Sequence, residues 1–156
     1  EPVVGASVQI DNKNPGVTGS DGRVEVLIEK RGVQRVTVNR EDYAKFSQSM
    51  DCNPSDEGPH LRIEIGPSAP CAGTVILPAS MSANADWMYM TVRQKGGGND
   101  QWEQIDAETM SFSISGMSPG TYVASVWAGG ARTKKVEFDL GPEGDTNLVL
   151  QFDSPD

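Results

Sequence analysis

The sequence predicts an all-β protein built from antiparallel β-sandwiches. Three observations carry that expectation. Apolar and polar residues alternate with a period of two in stretch after stretch. Clusters rich in Gly, Pro, Asn and Asp separate these stretches roughly every 8 to 12 residues, the spacing of sandwich strands. Helical periodicity is nearly absent: the best candidate, "NREDYAKF" at 39–46, is short and has no sustained apolar stripe.

The strands follow in order. "RVEVLIE" places Val24, Val26 and Ile28 on one face, and "HLRIEI" does the same with Leu61, Ile63 and Ile65. In "WMYMTV", Met88, Met90 and Val92 alternate with Trp87, Tyr89 and Thr91. "TYVASVWAGG" aligns Tyr122, Ala124 and Val126, "KKVEFDL" aligns Val136, Phe138 and Leu140, and "NLVLQF" aligns Leu148, Leu150 and Phe152. One apolar and one polar or mixed face is the mark of half-buried antiparallel strands. Turn chemistry stands between them at "DNKNPG", "SDGR", "KRGV", "KGGGND", "SPGT", "AGGA" and "GPEGD".

Composition agrees. The 156 residues include 17 Gly and 10 Pro, and only 37% are hydrophobic, which suits short strands and many turns. The net charge of −9 and pI near 4.5 argue against nucleic acid and anionic membrane as partners, because both require a basic footprint. No apolar run approaches the roughly 18 residues of a membrane span, so membrane insertion is not expected. The chain starts at Glu1-Pro2 without an initiator Met, as a processed product or a piece of a longer protein would.

"GPSAP" at 66–70 is the expected domain boundary, dividing the chain into a first sandwich at 1–66 and a second at 67–156. The first part has 8 basic against 11 acidic residues, a net of −3; the second has 5 against 11, a net of −6. Cys52 and Cys71 lie in Pro-rich sequence, "MDCNPSDEGP" and "GPSAPCAG". Loops of that kind can bring two sulfurs together, so a Cys52–Cys71 disulfide and an oxidising compartment are expected. With the single His60 they do not complete a zinc site.

The order of motifs resembles the carboxypeptidase regulatory-like family of transthyretin-like (prealbumin-like) sandwiches. Its G-A-x-V strand end is matched by Gly5, Ala6 and Val8, and its T-x-x-D-G turn by Thr18, Asp21 and Gly22. Its Pro-Gly-x-Tyr turn is matched by Pro119, Gly120 and Tyr122, preceded by Phe112 and Gly116. Asp-Gly suits the positive φ of a tight hairpin, and Pro-Gly suits the centre of a type II turn. The first half has "KRGVQRVTV" in place of Pro-Gly-x-Tyr and lacks the family's opening strand; the second half has no clear G-A-x-V. The resemblance implies two Ig-like, transthyretin-like sandwiches in tandem, forming a non-catalytic surface or accessory module of secreted proteins.

Other constellations are weaker. Gly116-Met117-Ser118-Pro119-Gly120 fits G-x-S-x-G, but an elbow serine precedes a helix and needs a backbone N–H from the next residue. Here a strand is expected to follow, and Pro119 has no N–H. Asp11, Asn14 and Asp21 offer oxygen ligands for calcium, but without EF-hand spacing, and Asx-rich turns account for them. Met88 and Met90 share a face with Val92 and read as core. Trp87, Tyr89, Trp102 and Trp127 are candidate ligand or partner contacts, and the first two lie opposite the core-like methionines.

The expected function is therefore a non-enzymatic extracellular, cell-surface or periplasmic structural or interaction module without cofactors. It would serve in adhesion, as a spacer or as an assembly subunit, with a protein partner or its own copies. If the first sandwich lacks a strand, "TNLVLQF" from another chain is a candidate donor for a fibre. The alternative is a carbohydrate- or ligand-binding accessory module of a larger secreted enzyme.

Overall fold

The computed structural model describes residues 1–26, 28, 30–52, 62–82, 87–97 and 100–154, without the side chains of residues 14, 15 and 82. The protein is all-β: the described residues form strands and a single helix of four residues, α1 (Ala79–Ser82). They divide into two compact units, Glu1–Pro67 and Ser68–Asp156, within the "GPSAP" stretch.

Unit 1 contains β1 (Ser7–Ile10), β2 (Lys13–Val17), β3 (Val33–Asn39) and β4 (Phe46–Asp51), in the antiparallel order β2-β1-β3-β4. Ile10 pairs with Lys13, so the hairpin turns on Asp11 and Asn12 alone, at φ 49° and 59°. Two consecutive positive φ values are what the twist of a two-residue hairpin requires, and Asx residues tolerate them. The expected "DNKNPG" turn is thus shorter than its composition implies: residues 13–17 are strand. Pro15 is accommodated because β2 lies at the sheet edge. Ala6, Val36, Val38, Ala44 and Cys52 are buried.

Two expected strands are not formed by the described residues. Val24, Val26 and Ile28 keep their alternation, half-buried beside exposed Arg23 and Glu25, but these described residues join no ladder. It packs by side chains instead: a Cβ on Gly16 of β2 would fall 2.5 Å from a Val24 methyl. Ile63 and Ile65 are likewise half-buried outside any strand, whereas His60 and Leu61 lie outside the described residues. That stretch meets the rest of the unit where the Ala44 N–H donates to the Gly66 carbonyl (2.8 Å) and Tyr43 bridges Pro67. The weak helical candidate at 39–46 is a chain reversal, as the near-absence of helical periodicity implies, with Asp42 at φ 67° and the Tyr43 N–H donating to the Arg40 carbonyl. Eight residues without an apolar stripe cannot offset helix nucleation when β3 and β4 must reverse there.

Thr18 ties the start of the chain to this sheet. Its hydroxyl accepts from the Ala6 N–H (2.8 Å) and donates to the Val3 carbonyl (2.6 Å). Gly22 takes φ 71° in the next turn, and a Cβ there would meet Pro2 at 2.8 Å.

Unit 2 contains β5 (Ala69–Ile76), β6 (Met88–Gln94), β7 (Gln101–Gln104), β8 (Ser111–Met117), β9 (Gly120–Ala128), β10 (Ala131–Arg132), β11 (Val136–Leu140) and β12 (Asp145–Gln151). One sheet runs β10-β9-β6-β7, with β11 also on β9; the other runs β12-β5-β8. Inward residues of both sheets make one apolar cluster, including Met88, Met90, Val92, Ala124, Val126 and Phe138 from the first and Cys71, Val75, Phe112, Ile114 and Leu150 from the second.

The pairing is not antiparallel throughout: β12 lies parallel to β5. Gly73 permits this, since a Cβ there would sit 2.0 Å from the Leu148 carbonyl oxygen. Residues 145–151 fill a place in their own unit's sheet, with Leu150 and Phe152 buried.

The disulfide expectation is corrected too. Cys52 and Cys71 are free, buried thiols. Cys71 belongs to the β5 ladder, opposite Ile114 of β8, and not to a flexible loop. Burial, then the charge of Asp145, pushes its thiol up to about 11; burial, then Asp51 and Asp11, raises Cys52 in the same direction.

Three outcomes follow. Gly73→Val should destabilise the protein by about 3 kcal/mol or more in urea unfolding, while Thr74→Val on the same strand should change it by less than about 1 kcal/mol. The two thiols should resist a thiol-reactive dye at pH 8 until the chain is unfolded. Folded-state values above that of the free thiol also mean that their stabilising contribution is complete below about pH 9 and is lost as the pH rises toward 11. Melting temperatures across that window check the sign.

Candidate functional site: an aromatic sheet face

Strand parity builds the site. Met88, Met90 and Val92 of β6 point into the core, so Trp87, Tyr89, Thr91 and Arg93 emerge on the opposite face of the sheet. On β9, Tyr122, Ala124, Val126 and Ala128 point inward, which turns Val123, Ser125 and Trp127 outward. The register then assembles two rows. Tyr89 lies between Gln104 of β7 and Trp127 of β9; Thr91 lies between Trp102 of β7 and Ser125 of β9. All four aromatic residues singled out in the sequence thus share one face of one sheet.

Beneath the rings the face is polar but closed. Thr91 and Ser125 are only 4% and 1% exposed, although they point away from the core. Their hydroxyls lie 2.8 Å apart, and the Arg132 Nε–H donates to the Ser125 hydroxyl at 2.9 Å. The Arg132 guanidinium also sits over the Trp127 ring, 5.5 Å from its centre. A buried hydroxyl without a partner would cost roughly 1–3 kcal/mol, and this network leaves neither hydroxyl unsatisfied.

Above this layer the rings are open. Trp87, Tyr89 and Trp102 are 48%, 37% and 60% exposed, and the Trp87 and Tyr89 rings lie 5.9 Å apart at a tilt of 48°. Charges at the margin are matched locally. Arg93 binds Asp100 through two nitrogens, at 2.8 and 3.2 Å, and Lys95 binds Glu137 at 2.7 Å. On the edge strand β7, Glu103 points to the core side, and burial raises its carboxyl above the usual range. Edge strands with an inward charge resist pairing with another chain.

Arg132, Ser125 and Thr91 were not singled out by sequence reasoning. Thr91 and Ser125 share the parity of Tyr89 and Trp127, a signal already present in the alternation. Arg132 joins them only because β10 folds back onto β9, pairing Arg132 with Trp127.

The remaining candidates have structural roles or stand apart. Ser118 lies between β8 and β9, and the strand that follows it is β9. The Tyr122 hydroxyl donates to the Ser118 carbonyl at 2.7 Å, and its ring stacks on Phe138. Gly120 is at φ 154° and already pairs with Leu140, so Pro119-Gly120 does not form the expected type II turn. His60 is outside the described residues. The Asp11 carboxylate accepts from the Arg35 N–H and the Asp21 carboxylate from the Arg23 N–H. Asn14 belongs to β2, and among the described residues no three His, Cys, Asp or Glu side chains come together as metal ligands. No described helix is long and apolar enough to cross a membrane.

Compared with known proteins, the chain matches no protein-family model and no curated protein.

The Tyr122 contact gives a test of the "SPGTY" segment. Tyr122→Phe should lower stability by about 1 kcal/mol through the lost hydrogen bond to the Ser118 carbonyl, whereas Ser118→Ala keeps that bond, gives up only the longer 3.3 Å contact between the two hydroxyls, and should cost less than half as much. Thermal unfolding of both variants separates the two.

Proposed function

We propose that this protein is a non-enzymatic interaction module of the extracellular space, cell surface or periplasm. It is read as two tandem transthyretin-like, Ig-like sandwiches, the second presenting an aromatic face to a partner or ligand. The observation that carries the reading is the gathering of Trp87, Tyr89, Trp102 and Trp127 on one face, with three of the rings exposed. Large aromatic side chains dominate contact energies where they are rigid and accessible. The hydrogen-bonded floor of Thr91, Ser125 and Arg132 supplies rigidity.

The fold and location in this reading draw on the motif order around Thr18, Asp21, Gly22, Pro119, Gly120 and Tyr122. The same face serves the alternative, an accessory module that brings a larger secreted enzyme to its substrate. Both readings need the face and neither needs a nucleophile.

Tryptophan emission of the full chain provides the test. It would be followed at rising protein concentration, then during titration with soluble oligosaccharides and with a proline-rich peptide. At least one series should shift the emission saturably, and Trp102→Ala should weaken that interaction about tenfold or more. Emission that stays flat in every series would remove the aromatic face as a contact surface.

A further inference from the structure

We infer that the aromatic face binds a linear, uncharged polysaccharide laid along β6 over Trp87, Tyr89 and Trp102; this rests on the reading that the face is the contact surface. The three exposed rings stand in a row. Trp87, just before β6, and Tyr89 on it are two residues apart with their rings in contact, and Trp102 of the neighbouring β7 faces Thr91, the next outward position. Outward positions two residues apart are separated by roughly 7 Å of extended backbone, so the three positions span on the order of 14 Å, more than a single sugar ring requires. A row of separate ring faces suits a ligand with repeating flat apolar surfaces. The C–H face of a pyranose is such a surface, and its weakly positive hydrogens meet the negative π-face of the aromatic ring.

The polar groups discriminate between ligand classes. Those between the rings are engaged with one another: Thr91 with Ser125, and Ser125 with Arg132. A peptide lying over the row would bring backbone carbonyls that need donors there, and the buried hydroxyls are not offered. A sugar chain places its hydroxyls at its rim. At the rim of this row stand Gln104, opposite Tyr89, and the exposed Arg93–Asp100 pair beyond Thr91. Planar amide, guanidinium and carboxylate groups each bond well to neighbouring hydroxyls.

Charge decides that the sugar is neutral. Arg93 and Lys95 are matched by Asp100 and Glu137, and Arg132 is held by Ser125 and Trp127. Among its described residues the face therefore offers no cluster of positive charge to an anionic chain: two of these three cations are matched by carboxylates, and Arg132 stands by itself over Trp127. Residues 67–156 carry 11 acidic against 5 basic side chains, a field that repels an anionic chain.

The experiment titrates the full chain, by tryptophan emission, with β-1,4-linked hexasaccharides of glucose, xylose and mannose. A galacturonate hexasaccharide and decaproline serve as the charged and peptide probes. At least one neutral hexasaccharide should bind saturably, its disaccharide about tenfold or more weaker, and Trp102→Ala and Trp87→Ala should each weaken binding about tenfold. Affinity should hold within about twofold between low and high salt, since no ion pair forms. Val149→Ala, on exposed β12 of the other sheet, should bind as the natural sequence does. Should Trp102→Ala fail to fold, Trp87→Ala carries the test. Binding confined to galacturonate, decaproline or a second copy of the chain would overturn the polysaccharide assignment and leave the contact face standing. Silence from every probe, or binding indifferent to both tryptophans, would overturn both.

Discussion

In unit 2, β9 carries ladder bonds on both edges, to β6 along one and to β10 and β11 along the other. Hydrogen bonding on both sides leaves its nine residues no freedom to rotate about the strand axis. Once Tyr122, Ala124, Val126 and Ala128 enter the core, Ser125 and Trp127 must face outward. A slip of one residue would bury Trp127 beside the methionines and expose Val126, so the apolar core enforces the register that also assembles the aromatic face.

The face depends on a second constraint, the satisfaction of polar groups that the rings cover. Thr91 and Ser125 are small enough for neighbouring large side chains to close over them, and each then requires a partner. They meet one another, and Arg132 completes the set while its guanidinium lies on Trp127. Thr133, the next residue, performs a related task inside the sheet: its hydroxyl accepts from the Val126 N–H where the β10 ladder has ended and that of β11 has not begun. A polar side chain there spares the backbone an unpaired donor.

Both units close a chain reversal with a side-chain hydroxyl bonded to backbone. Thr18 joins Val3 and Ala6 in unit 1, and Tyr122 reaches back to Ser118 in unit 2. These contacts explain why Thr and Tyr stand in the two turn motifs without invoking chemistry at Ser118 or a cation at Asp11 and Asp21. The carboxylates of the last two are occupied by neighbouring N–H groups.

The sequence by itself determined the all-β class, the parity of nearly every strand and the shared face of Trp87, Tyr89 and Thr91. Alternation is a property of the extended backbone and needs no knowledge of what lies beside it. Even residues 23–26, which join no ladder, keep Val24 and Val26 half-buried beside exposed Arg23 and Glu25. Ladder partners were decided only by the tertiary structure, because strand pairing joins residues far apart in the chain and rests on local clearance. Gly73 lets β12 approach β5 in parallel; Gly16 gives the Val24 segment a surface to pack on; β10 delivers Arg132 to Trp127. The cysteines follow the same rule. Their Pro-rich flanks resemble loop, but Cys71 is held in a core strand by its pairing with β8, and nothing in the adjacent residues announces that pairing.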